Sequence, residues 1–141
     1  MAHDADVTFE ELVARQKPGM SLEQPFYTDP AIFEREMADV LPGQWLYVEH
    51  TTTIPKKGDY VLYDIAGESI IVVRGRDGEI RAFYNVCRHR GSRVCLAPQG
   101  NVRTLTCPYH AWVYGLDGKL ASARRSELIK DFAIEEVCLD S

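Results

Sequence analysis

Two cysteines and two histidines arrive in this chain as matched pairs, in Cys87-Arg88-His89-Arg90-Gly91 and Cys107-Pro108-Tyr109-His110-Ala111-Trp112. One residue separates the first pair, two separate the second, and seventeen lie between His89 and Cys107. Each short loop therefore offers one thiolate and one imidazole. A [2Fe–2S] cluster with two Cys on one iron and two His on the other suits such loops, because each loop can reach both irons. Gly91 permits a close backbone approach or a positive φ, and Pro108 stiffens the second loop. A structural zinc site built from the same four residues is the alternative. Zinc frameworks usually space their first pair by about two to four residues and end on two histidines. The single intervening residue and the order Cys, His, Cys, His favour the cluster.

The elements that must hold these loops are mostly strands. Tyr60–Ile65, Ser69–Arg74 and Glu79–Val86 are rich in Val, Ile, Tyr and Phe. Turn residues Ala66-Gly67-Glu68 and Gly75-Arg76-Asp77-Gly78 divide them, so the pattern predicts consecutive antiparallel strands. Short strands are expected at Trp45–Glu49, Val102–Thr106 and Ala111–Tyr114, with a hairpin turn at Asp117-Gly118. Residues 1–43 read as helix and loop. Thr8 to Gln16 makes a short helix stopped by Pro18-Gly19. Asp29 and Pro30 cap and start a second helix, with Ile32, Phe33, Met37, Val40 and Leu41 on one face until Pro42-Gly43. The expected organisation is a helical N-terminal extension (1–43), a β domain carrying both loops (44–125) and a weakly patterned C-terminal tail (126–141).

Length and composition suit one ordinary globular domain, at 141 residues with 45% apolar and 26% charged. A formal charge of −5 makes nucleic acid an unsuitable partner. No apolar run approaches the roughly 20 residues that cross a bilayer. The acidic N-terminus lacks secretory-signal features, so no membrane association and a cytoplasmic location are expected. Cys95 and Cys138 are expected to be buried or incidental thiols rather than part of a disulfide scaffold.

The two loops together resemble the N-terminal Rieske domain of ring-hydroxylating oxygenase α subunits. The likeness extends to Phe26-Tyr27-Thr28-Asp29-Pro30, Trp45-Leu46-Tyr47-Val48 and Gly115-Leu116-Asp117-Gly118-Lys119-Leu120, and covers roughly residues 20–125. It implies a mostly β Rieske iron–sulfur fold of antiparallel sheets with a small cluster-binding subdomain. It implies Cys87, His89, Cys107 and His110 as ligands of a Rieske-type [2Fe–2S] cluster, with Arg90, Gly91, Pro108, Tyr109 and Trp112 around them. Respiratory Rieske proteins carry an extra cysteine in each loop, where this chain has Ser92 and Tyr109, so no covering disulfide forms. Tyr109 and Trp112 are expected to pack over the cluster and exclude water. Arg90 reads equally as a contact for an acidic partner and as a solvated loop residue.

By the same resemblance the domain takes electrons from a reductase or ferredoxin. It passes them to the mononuclear iron of a separate oxygenase domain, in a homo-oligomer. Monooxygenase or dioxygenase chemistry of aromatic hydrocarbon catabolism is implied for the parent enzyme, with entry segments most similar to enzymes of aromatic acids or quaternary amines. That second iron needs two His and a carboxylate. The chain's histidines are His3, His50, His89 and His110, two of them spent on the cluster and His50 without neighbouring ligands, so these residues are not expected to hydroxylate a substrate alone. A stand-alone Rieske ferredoxin is the alternative. Short length favours it, whereas the 43-residue extension favours the oxygenase domain.

Overall fold

The computed structural model describes residues 7–124, 126–128 and 130–141; His3 lies outside them. The chain divides into one compact unit ending at Leu46 and a second running from Tyr47 to Ser141.

In the first unit, α1 (Phe9–Ala14) starts where sequence places it, because Thr8 and Glu11 form a reciprocal capping box. After the single turn α2 (Pro25–Thr28), Asp29 accepts a 2.8 Å hydrogen bond from Ala31 N and caps α3 (Pro30–Arg35). The helix expected to continue to Leu41 instead widens into a π turn over Glu36–Val40 and tightens to 3₁₀ over Leu41–Gly43. This change of pitch rotates side chains off the 3.6-residue spacing. Of the five residues expected on one face, Ile32 is buried, whereas Val40, beyond the change of pitch, is 48% exposed and Phe33, within α3, is 57% exposed.

The second unit is built on two antiparallel sheets. The first contains β1 (Asp59–Ile65), β2 (Glu68–Arg74), β3 (Ile80–Tyr84) and β4 (Gln99–Asn101) in the order β3-β2-β1-β4. β1 and β2 form a hairpin whose two turn residues, Ala66 and Gly67, both have positive φ, the geometry that matches strand twist. Residues of β2 alternate in burial, with Ser69, Ile71 and Val73 inward. The second sheet contains β5 (Leu105–Thr106), β6 (Val113–Tyr114) and β7 (Leu120–Ser122).

Two strand expectations are corrected. Trp45–Glu49 forms no strand, since no strand of either sheet pairs with it and aromatic content alone does not make a ladder. Of Val102–Thr106 only the last two residues pair, while the unexpected β4 takes the free edge of β1.

One buried cluster joins the sheets. Tyr60, Ile71, Val73 and Phe83 from the first meet Leu105, Tyr114 and Leu120 from the second, and Cys87 and Cys107 belong to it. The weakly patterned C-terminal stretch also contributes. Leu120 N donates to Val137 O, Leu139 N to Gly118 O and Tyr84 N to Asp140 O, each at 2.9 Å. Residues 137–140 thus bond to both sheets, and Leu139 is buried. No helix among the described residues is long and apolar enough to cross a membrane.

Two expectations for stability follow from this packing. At Gly118 (φ +84°) an added Cβ would lie 2.6 Å from the Phe83 ring and 3.1 Å from Cys138 Sγ. Gly118→Ala should therefore cost about 2–4 kcal/mol from backbone strain and overpacking, measured by urea unfolding. Arg81 donates two hydrogen bonds to Asp77 and, with Glu79 N, holds the Asp77 carboxyl down at about 2. Its folded pKa lies below the unfolded value of about 3.9, so this stabilisation is present above pH ~4 and lost as pH falls toward ~2. The stability gap between wild type and Asp77→Asn should close over that window in acid titrations.

Candidate metal centre

The two Cys-His loops are built on one hydrogen-bond scheme. In the first, Cys87 N donates to Ser92 O (2.8 Å) and Gly91 N to Cys87 O (2.9 Å). In the second, Cys107 N donates to Trp112 O (2.8 Å) and Ala111 N to Cys107 O (3.0 Å). The residue four places after each cysteine has positive φ, Gly91 at +72° and Ala111 at +55°. A Cβ on Gly91 would meet no atom within 4 Å, so glycine there serves the backbone angle rather than a close approach. Pro108 lies exposed within the second turn.

The loops bring like donors together. Cys87 and Cys107 are each 2% exposed. Burial raises the Cys87 thiol pKa, with the nearby Cys107 adding to it, while a hydrogen bond to Tyr114 opposes the rise. The rings of His89 and His110 meet edge to face, with centroids 4.8 Å apart. His110 Nδ1 is buried without a hydrogen-bond partner. A buried, unsatisfied ring nitrogen costs desolvation energy unless something binds it. Among the described residues, no group of three His, Cys, Asp or Glu is set around one metal ion. Thiols on one side and imidazoles on the other suit a binuclear iron–sulfur group.

Aromatic residues enclose the imidazoles. Trp112 is buried and stacks on His89, 4.7 Å between centroids and 12° between planes, with Phe132 behind it at 5.7 Å. Tyr109 leans on His110 at 3.9 Å but stays 59% exposed. The expectation that both aromatics exclude water is corrected in part: the exposed turn position of Tyr109 leaves its outer face in solvent. His89 has its pKa lowered, first by burial and then by His110 and Arg90. Arg90 is exposed. Arg88 pairs with Asp140 across the C-terminal stretch.

Sequence reasoning missed two residues. Tyr114 is fully buried, and its hydroxyl accepts from Arg88 N (3.0 Å) and lies 3.2 Å from Cys87 Sγ. Burial, followed by the Cys87 contact, raises its pKa. It looked like an ordinary strand tyrosine; its place seven residues after Cys107 was the available signal. Asn85 is likewise fully buried, and an asparagine at a strand end otherwise suggests only a turn. Of the remaining candidates, His50 is exposed and caps the Thr51–Thr53 turn. Cys95 is buried, its thiol pushed up to about 11 mainly by burial, and Cys138 is exposed.

The Rieske [2Fe-2S] domain family matches residues 44–133. The glycine betaine monooxygenase oxygenase subunit of Chromohalobacter salexigens is 50% identical over 87% of this chain and 27% of its own length. The biphenyl 2,3-dioxygenase α subunit of Rhodococcus jostii is 42% identical over 84% of the chain and 25% of its length. A crystal structure of a quaternary ammonium Rieske monooxygenase with L-carnitine superposes with a TM-score of 0.77. The two are 38% identical, over 82% of this chain and 33% of that one. The chain thus spans about a quarter to a third of the relatives it matches.

Replacing Tyr114 with Phe leaves the Arg88 N–H without its partner. The cluster-free chain should lose about 1–2 kcal/mol, measured by denaturant unfolding with an unchanged slope.

Proposed function

This chain belongs to the Rieske [2Fe-2S] domain family, and from that premise we propose that Cys87 and Cys107 hold one iron of its cluster and His89 and His110 the other. The family carries a Rieske-type [2Fe–2S] cluster, which supplies reversible one-electron chemistry. One observation carries the assignment of residues: His110 Nδ1 is buried and unpartnered while its ring faces His89. The paired burial of Cys87 and Cys107 supports it.

The surrounding residues serve electron transfer by position. Trp112, stacked on His89 and flanked by Phe132, covers one face of the His89 ring. Tyr114 places a hydroxyl at Cys87 Sγ, where it donates to a thiolate and favours the more negative, reduced state. Neither His89 nor His110 is fully buried, so the imidazole side faces a partner. Arg90, exposed beside His89, is available to carboxylates on that partner.

The oxygenase relatives favour a Rieske domain of a longer oxygenase subunit over a stand-alone ferredoxin. In this reading a reductase or ferredoxin is the donor, a mononuclear-iron oxygenase domain the acceptor, and the assembly a homo-oligomer. Two of the chain's four histidines are assigned to the cluster, so oxygen activation is not assigned to these residues. The parent substrate is proposed as a quaternary ammonium compound, following the glycine betaine and carnitine enzymes rather than aromatic hydrocarbon catabolism.

Reconstituted protein should carry about two irons and two sulfides per chain and give a paramagnetic signal on reduction. Cys107→Ser and His110→Ala should abolish both. Zinc bound without any reduced-state signal would end the proposal. Tyr114→Phe should lower the midpoint potential by about 40 mV, the one-electron equivalent of a hydrogen bond worth roughly 1 kcal/mol, measured by redox titration.

A further inference from the structure

The two cluster loops share internal hydrogen bonds but are closed at their bases by different means. The second is closed by backbone: β5 and β6 pair through Leu105↔Tyr114 and Thr106↔Val113 on either side of it. The first has no such ladder. β3 ends at Tyr84, and residues 92–95 belong to no strand.

In the ladder's place stands the carboxamide of Asn85. Its Oδ1 accepts from Val94 N at 2.9 Å and from Cys95 N at 2.8 Å. Its Nδ2 donates to Cys95 O at 2.8 Å and to Ser69 Oγ at 3.3 Å. Every donor and lone pair of the amide is used. The orientation is dictated by the neighbours, since backbone N–H groups face the oxygen and a backbone carbonyl faces the nitrogen. The pair of bonds to Cys95 reproduces what a strand peptide would make there. Asn85 N also donates to Ser69 O at 2.7 Å, tying the clamp to the start of β2. Asn85 is 0% exposed and Ser69 5%.

We infer that Asn85 is a positioning residue. By clamping residues 94–95 to the chain two residues before Cys87, it holds the first loop so that Cys87 and His89 meet Cys107 and His110. The inference rests on the ligand assignment above. The hydrogen bonds of the Asn85 side chain go to Ser69, Val94 and Cys95 rather than to the four proposed ligands, so it acts through loop geometry. Groups that act through ligand geometry commonly change metal retention about tenfold or more when removed.

The clamp itself is tested in the cluster-free chain by amide hydrogen exchange. Val94 and Cys95 amides should exchange slowly in wild type. In Asn85→Ala they should speed up at least about tenfold, while β1 and β2 ladder amides keep their rates. In reconstituted protein, Asn85→Ala should lose iron to a chelator about tenfold faster or more, with a shifted reduced-state paramagnetic spectrum. Val61→Ala, buried on β1 but outside the core cluster that contains Cys87 and Cys107, supplies the control: it should lower the melting temperature and leave that spectrum unchanged.

Fast exchange at Val94 and Cys95 in wild type would overturn the clamp even if the Ala variant fails to fold. A wild-type spectrum and iron retention in Asn85→Ala, or an equal spectral change in Val61→Ala, would overturn its positioning role. Absence of any cluster from wild type would instead refute the ligand assignment, with the exchange result still standing.

Discussion

Two thiols lie in the hydrophobic core of a small β unit, side by side and nearly without solvent, beside two imidazoles of which one presents a buried nitrogen to no partner. Burying a polar group this way is costly, because the interior supplies no water to replace lost hydrogen bonds. The arrangement makes sense when the donors serve a bound group. Much of the second unit can be understood as the scaffold for that concentration of donors. Both sheets contribute to one core, and the cysteines are members of it rather than appendages. Their separation therefore depends on packing between sheets, and a shift in either sheet would move one of the two cysteines.

The two loops show how similar local geometry arises from different sequences. Each uses a positive φ four residues after its cysteine, met by glycine in one case and alanine in the other. Alanine in that region carries strain that glycine avoids, and the adjacent Trp112, anchored between His89 and Phe132, accompanies it. Loop closure differs more sharply. Backbone pairing closes the second loop, and a single buried side chain takes that part in the first. The C-terminal residues add a further constraint by bonding to both sheets and pairing Asp140 with Arg88.

The chain is similar to one part of oxygenase subunits several times its length. Electron relay separates naturally from oxygen activation because the two need different ligands. Mixed Cys and His ligation suits a one-electron carrier, whereas two His and a carboxylate leave open positions for oxygen. The loops here offer the first set. His89 and His110 are partly exposed, whereas Cys87 and Cys107 are buried.

Local order was legible in the residues. The Cys-His pairs stand out by type and spacing, the β1–β2 hairpin by its β-forming residues divided at Ala66-Gly67-Glu68, and two helix starts by Thr8 and Asp29. Each depends on contacts within a few positions, which short-range periodicity encodes. The pairing of thiol with thiol and imidazole with imidazole is already expected from the two loops, and its geometry comes from the tertiary structure. Tertiary structure alone decided that Tyr114 reaches Cys87 across 27 positions, that Asn85 substitutes for a ladder, and that residues 137–140 bond to both sheets. These contacts join residues far apart in the chain, and their geometry depends on how two sheets pack. The Trp45–Glu49 run failed as a strand for the same reason: a strand needs a neighbouring edge, and no local pattern shows whether one is there.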